Sequence, residues 1–160
     1  MTATTATGRQ TEDGQVGGIE GVVFGALVFA IGSLVIANAW GVVDAKMTAG
    51  AAAREATRAF VESAGPSSSE ALVEAEAAAR DAIAGYGRSP DRMVFVPEAA
   101  AFRRCAEVTM RVEYPVPLVV IPAIGRYGRG FTAVARHTEI VDPYRSGVPG
   151  RSVCPDGLAP

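Results

Sequence analysis

The hydropathy pattern divides the chain near residue 43. The stretch from Gly21 to Val43, GVVFGALVFAIGSLVIANAWGVV, contains no ionisable side chain. As a helix it extends roughly 34 Å at about 1.5 Å per residue, slightly more than a hydrocarbon core of about 30 Å. A soluble core helix is rarely apolar on every face. A cleaved secretory signal, the alternative, would have a basic start and a shorter apolar core. We therefore predict a transmembrane helix over residues 19–43.

Small residues recur every fourth position along this helix in two series, one that ends at Gly25 and one that begins at Ser33. Residues four apart lie on one helix face, and small side chains there allow a second helix to approach closely. The alternative is that alanine and glycine are simply abundant in this region. The predicted helix-packing positions are Gly21, Gly25, Ser33, Ala37, Gly41, Ala45 and Ala49.

Helical pattern continues beyond the span. Residues 44–64 contain no proline and many good helix formers, so one long helix is predicted to leave the membrane. The segment GPSSSE then interrupts it, with Ser68 or Ser69 as the expected N-cap of a second helix that ends at Gly85 or Gly87.

After the segment RSPD (residues 88–91), apolar side chains tend to recur at every second position, the period of a strand. Three antiparallel strands are predicted over residues 93–96, 103–114 and 131–141, which are rich in Val, Phe, Thr and Tyr. The proline- and glycine-rich stretch YPVPLVVIPAIGRYGRG between the last two is predicted to be a connecting loop with an apolar tip. Such a tip would contact a membrane or a partner, or fold back over the sheet.

These elements predict an α+β fold with four parts: a flexible leader or tail over residues 1–18, the membrane helix over 19–43, a domain over 44–143, and a Pro/Gly-rich tail over 144–160. The sequence carries 15 basic and 17 acidic side chains, and the basic ones are scattered. That distribution lacks the basic stripe of a nucleic-acid-binding surface, so nucleic acid is not an expected partner.

Two cysteines, Cys105 and Cys154, lie outside any CxxC or Cys/His cluster, so a zinc site is not predicted. If the domain is outside the cytoplasm they could form a disulfide, and otherwise they are two unpaired thiols.

Candidate catalytic groups are few. His137, the sole histidine, precedes Glu139 by two residues, which places both side chains on one face of a regular strand. Such a pair could perform acid–base chemistry but is more commonly a solvated pair. The chain has no nucleophile elbow, phosphate-binding loop with lysine, or HExxH motif. We predict neither enzymatic activity nor a cofactor or metal.

Glu20 immediately precedes the apolar stretch. It is either a solvated interfacial residue or a carboxyl group that becomes buried when subunits pack, in which case it would be paired with a cation or protonated. Membrane orientation is poorly defined by the sequence. Lys46, Arg54 and Arg58 follow the span, and a count of basic residues alone would place the C-terminal part inside.

The segment GQVGGIEGVVFGALVFAIGSLVIANAWGVVDAKMTAGAAAREATRAFVE resembles the amino-terminal part of TadE-like proteins, pseudopilins of tight-adherence (Flp-type) pilus systems. The resemblance implies a single-pass protein of the cell membrane with a cytoplasmic amino terminus, an outer domain, and a role in pilus assembly and cell adhesion. The implied partners are the lipid bilayer, other pilus or pseudopilin subunits, the assembly platform and a prepilin peptidase.

In that family a glycine precedes the peptidase cleavage site and a glutamate stands fifth in the mature chain, a position that Glu20 would match. Cleavage after Gly14 makes Glu20 sixth, cleavage after Gln15 makes it fifth, and cleavage after Gly17 makes it third. The main alternative function is a membrane-anchored binding module unrelated to pili, which would recognise its ligand through the LVVIPAIGRYGRG loop.

Overall fold

A computed structural model describes residues 18–65, 67–117, 119–121, 123–128 and 130–154. The chain divides into two compact units, of which the first ends at Ala37 and the second begins at Asn38. The predicted leader, apart from Gly18, and the processing candidates Gly14, Gln15 and Gly17 lie outside the described residues.

The two predicted helices are present. Helix α1 runs without a break from Gly18 to Glu62. This confirms that the apolar helix continues beyond Val43, where the stretch without ionisable side chains ends. Helix α2 runs from Ser68 to Gly85. Its N-cap is Ser67, whose hydroxyl oxygen accepts a hydrogen bond from the backbone N–H of Glu70 at 3.3 Å, so the predicted cap was one or two residues too late.

A short 3-10 helix, Pro90–Arg92, leads into the main sheet. Strands β1 (Val94–Ala100), β2 (Glu107–Val116) and β5 (Phe131–Ile140) are antiparallel in the order β1-β2-β5. The α+β class and the three antiparallel strands are thus confirmed. Pro97 lies on the edge strand β1 beside a register shift, where a proline interrupts no continuous ladder.

The prediction of a plain loop between β2 and β5 was wrong. Strands β3 (Val119–Ile121) and β4 (Gly125–Tyr127) form a separate antiparallel hairpin within it. Ala123 adopts a left-handed conformation with φ 65°, and Gly125 has φ 134°, so the chain reverses within a few residues. Of the three prolines that indicated a loop, Pro115 lies within β2 opposite Thr132, and Pro117 and Pro122 come before and after β3 in the sequence.

The core of the second unit joins the later part of α1, the helix α2 and the sheet. Strand β2 buries every second side chain, namely Val108, Met110, Val112, Tyr114 and Val116. Helix α1 contributes small side chains and Phe60, whose ring meets that of Phe102 edge-on at 5.5 Å between centroids. The Thr57 hydroxyl donates to the carbonyl of Ala53 at 2.8 Å and lies 3.3 Å from the carbonyl oxygen of His137, so α1 is in direct contact with β5 at this position.

The C-terminal segment up to Cys154 is attached to the domain. Val148 is buried in the core, and the carbonyl of Pro149 accepts a hydrogen bond from the backbone N–H of Arg104 at 2.8 Å. Residues 155–160 of the predicted tail lie outside the described residues.

Candidate functional site

The first unit presents an apolar helix surface. Of all helices in the described parts of the chain, α1 is the one long and apolar enough to cross a membrane. Its most apolar 18-residue window has a mean hydropathy of 2.3, and none of that window is buried inside the protein. This is compatible with a single-pass membrane protein, because lipid would cover side chains that the chain itself leaves exposed.

The seven predicted helix-packing positions form a small-residue ridge that is shared between the two units. Its first four positions lie in the first unit, and its last three lie in the second. Gly21, Gly25, Ser33 and Ala37 are exposed in the first unit, and a Cβ built on either glycine would meet no neighbouring atom within 4 Å. The ridge positions of the first unit are therefore open to a second helix.

The later ridge positions are engaged within the chain. Ala45 and Ala49 are fully buried, Ala45 against Val116 and Ala133 and Ala49 in the main core. Gly41 is half-buried and its carbonyl accepts a hydrogen bond from Arg88 at 3.4 Å. Ala45 and Ala49 thus pack against the chain's own elements, and in this fold they are not available to a neighbouring subunit.

Glu20 lies in the first turn of α1 with an exposed side chain. A carboxylate there interacts favourably with the positive end of the helix dipole. The structure thus keeps Glu20 accessible to a partner outside its own chain.

Arg88, which no sequence pattern singled out, joins α1 to the end of α2. Its Nε donates to the Asp44 carboxylate at 3.2 Å, and its guanidinium lies 5.4 Å from the centre of the buried Tyr114 ring. The contact holds the first charged residue after the apolar stretch against the domain. The available signal was modest: Arg88 follows the predicted helix stop, where a basic residue commonly interacts with helix carbonyls.

Cys105 and Cys154 form a disulfide, with a Cα–Cα distance of 5.3 Å. Beside it is an open cavity of about 650 Å³. Its lining includes three arginines, Arg103, Arg104 and Arg151, and among the described residues no acidic side chain lines it. Such a cavity can accept an anionic group. The sequence did not indicate it, because the disulfide brings together residues about fifty positions apart.

His137 and Glu139 lie side by side on β5, as predicted. Their Nε2 and Oε1 atoms are 3.1 Å apart, and both side chains are about one-third exposed. Within the described ranges, no cluster of three His, Cys, Asp or Glu residues is arranged to hold a metal ion.

The hydrogen bond to Glu62 raises the pKa of Arg58 further above its already high value, which leaves that guanidinium charged.

No protein-family model, curated protein or solved structure matches this chain. The resemblance to TadE-like pseudopilins therefore stays a prediction from the residues.

Proposed function

We propose that this protein is a single-pass, TadE-like minor pseudopilin or pilus-assembly component, which packs through the first part of α1 and carries its α+β domain outside the cytoplasm. The observation that supports this most directly is the change in character along α1. The same helix is apolar and exposed before Asn38, and from Ala45 onward it supplies much of a domain core. Its role is structural and not catalytic.

The disulfide supports the outer location. Disulfides form and persist in oxidising compartments and are rare in the cytosol. Cys105–Cys154 therefore favours an outer domain, against the count of basic residues after the span.

Packing of the membrane helix can be tested with Gly21→Leu and Gly25→Leu. Each variant adds a bulky side chain to the open ridge, so we expect at least about a fivefold loss of subunit association, equivalent to roughly 1 kcal/mol. Association is measured by co-isolating two differently tagged full-length copies from the producing cell, together with any other pilus subunits. Glu20→Gln should also reduce assembly if the carboxylate pairs with a cation in the assembled state.

The matched control is Val23→Leu, which adds bulk to a side chain on the opposite face of the same exposed helix. It should associate like the natural protein. If both glycine variants still insert, display the domain and associate normally, the packing function is refuted.

That outcome would favour the second candidate, a tethered binding module. The specific observation in its favour is the arginine-lined cavity beside the disulfide, which suits phosphate or carboxylate groups.

A further inference from the structure

The β3–β4 hairpin presents apolar side chains to solvent. Ile124 is 67% exposed and Tyr127 49% exposed, and Val120 is also exposed. Val120 and Tyr127 belong to a two-stranded sheet that is separate from the main sheet, and Ile124 lies in the turn between its strands. A hairpin of this size is not stable alone in water, so its position depends on what it is attached to.

Asn38 of α1 provides that attachment. The backbone N–H of Val120 donates to Asn38 Oδ1 at 2.6 Å, and Asn38 Nδ2 donates to the carbonyl of Val120 at 3.3 Å. The side-chain amide thus pairs with both backbone groups of one β3 residue. This double hydrogen bond fixes the hairpin at one level along the helix.

The attachment point, Asn38, lies within the apolar stretch, on the amino-terminal side of its first charged neighbour, Asp44. Asn38 precedes Asp44 by six residues, which is about 9 Å along a helix. Trp40, two residues after Asn38, is largely exposed, and tryptophan is enriched at the boundary between lipid and water. The hairpin is therefore attached where the apolar helix would leave the hydrocarbon core.

The charge of the hairpin segment suits the same location. Residues 117–131, PLVVIPAIGRYGRGF, include Arg126 and Arg129 and no acidic residue, although the whole chain has a net charge of −2. Aromatic side chains are enriched at the boundary between lipid and water, and arginine can place its alkyl chain against apolar groups while its charge stays in water.

We infer that the β3–β4 hairpin is a second membrane contact, with Ile124 and Tyr127 at the boundary between headgroups and acyl chains. The occupant of this surface is lipid, because the surface is attached to the membrane helix at the depth where the helix leaves the bilayer. The hairpin then holds the domain in one orientation relative to the membrane surface. This inference rests on the membrane-anchoring part of the proposed function.

The test uses the full chain reconstituted at one copy per nanodisc of phosphatidylcholine and phosphatidylglycerol. An environment-sensitive fluorophore is attached at Ile124→Cys, at Val28→Cys in the apolar helix, or at Tyr144→Cys, an exposed position near the C-terminal segment. Quenching by lipids with nitroxides near the headgroup reports contact with the interface. We expect the probe at 124 to be quenched at least about twofold more than the probe at 144, with a blue-shifted emission.

Each outcome has a distinct meaning. If lipid nitroxides placed deeper in the acyl chains fail to quench the probe at 28, the membrane anchor itself is refuted. If they quench that probe while positions 124 and 144 respond alike, the hairpin inference alone is refuted. If the response at 124 appears only when several copies share a disc, the hairpin contacts protein and not lipid, which also refutes the inference. Asn38→Ala should reduce the difference between positions 124 and 144, because it removes the two hydrogen bonds between the Asn38 side chain and the backbone of Val120.

Discussion

Arg88 and Arg58 show how differently two arginine ion pairs can contribute to the stability of the folded domain. Arg88 is 20% exposed, pairs with Asp44 and stacks on Tyr114, whereas Arg58 and Glu62 are both 62% exposed and one helical turn apart. The partly buried arginine combines a charge-assisted hydrogen bond with a cation–π contact. An exposed pair of the second kind adds little, since water and salt screen it.

We predict that Arg88→Ala lowers the free energy of unfolding by about 1–3 kcal/mol, because it leaves Asp44 without its partner and uncovers Tyr114. Arg58→Ala is the matched control and should leave the unfolding midpoint unchanged. Urea unfolding of the detergent-solubilised full chain, followed by near-UV circular dichroism, compares the two. Equal midpoints would show that the Arg88 contact does not contribute to stability.

Single residues also explain why parts of the fold could not be read from the sequence. A Cβ on Gly130 would overlap the backbone carbonyl of Val116, so this glycine permits a close approach of two chain segments. In the sequence it is one of three glycines in a stretch interrupted by prolines, and it indicates only a loop. The hairpin was missed because β4 contains a single apolar side chain and its partner β3 has only three residues.

At the scale of elements, the helices and the main strands were predictable because each follows a local rule. Helix α1 lacks proline throughout, and β2 alternates buried and less buried side chains over ten residues. The role of the small-residue ridge was not predictable. A repeat of alanines every fourth residue is the same whether the opposing surface belongs to another subunit, as proposed for Ala37, or to the same domain, as found for Ala49.

The C-terminal segment is an element held by two kinds of bond. Its backbone is hydrogen-bonded at Pro149 to Arg104 and at Val141 to Cys105, and the Cys105–Cys154 disulfide closes a separation of 49 residues. In the chain-entropy account a loop of this length stabilises the folded state by up to about 4 kcal/mol. Removing the bond should therefore lower stability without abolishing the fold.

We predict that Cys105→Ser/Cys154→Ser unfolds at a clearly lower urea concentration, with a loss of about 2–4 kcal/mol. Reduction of the natural protein should produce the same shift, and adding reductant to the double variant should produce none. A reduced natural protein that unfolds at the original midpoint would contradict the stabilising role of this bond.

At the scale of the whole molecule, α1 serves both units of the chain. The predicted membrane segment ends at Val43, the last residue before a charged side chain, whereas the compact second unit begins at Asn38. Asn38 is hydrogen-bonded to the hairpin, a contact between residues 82 positions apart that no local pattern reveals. The arginine cavity depends on a similar long-range contact.

This dual use of α1 predicts where the chain can be cut. A chain beginning at Asn38 retains Ala49, Phe60 and the rest of the core, and it loses the helix surface that is exposed in the first unit. A chain beginning at Ala64 lacks every core side chain that α1 supplies, which would leave the buried faces of α2 and the sheet uncovered. Loss of a buried phenylalanine such as Phe60 costs about 3–5 kcal/mol, and loss of the helix also uncovers the apolar surface that its buried alanines cover, so the total exceeds the stability of a domain of this size.

We therefore expect the chain from Asn38 to fold without detergent, with its disulfide formed and a single cooperative thermal transition, and the chain from Ala64 to remain unfolded. Both should be produced in an oxidising compartment and compared by circular dichroism and amide-proton NMR dispersion. If the shorter chain gave an equally dispersed spectrum, the second half of α1 would be an appendage to the domain. The long helix would then connect a membrane anchor to a domain that folds without it. A change in how the helix packs within the membrane could not be transmitted to the domain through the core that Phe60 and its neighbours form.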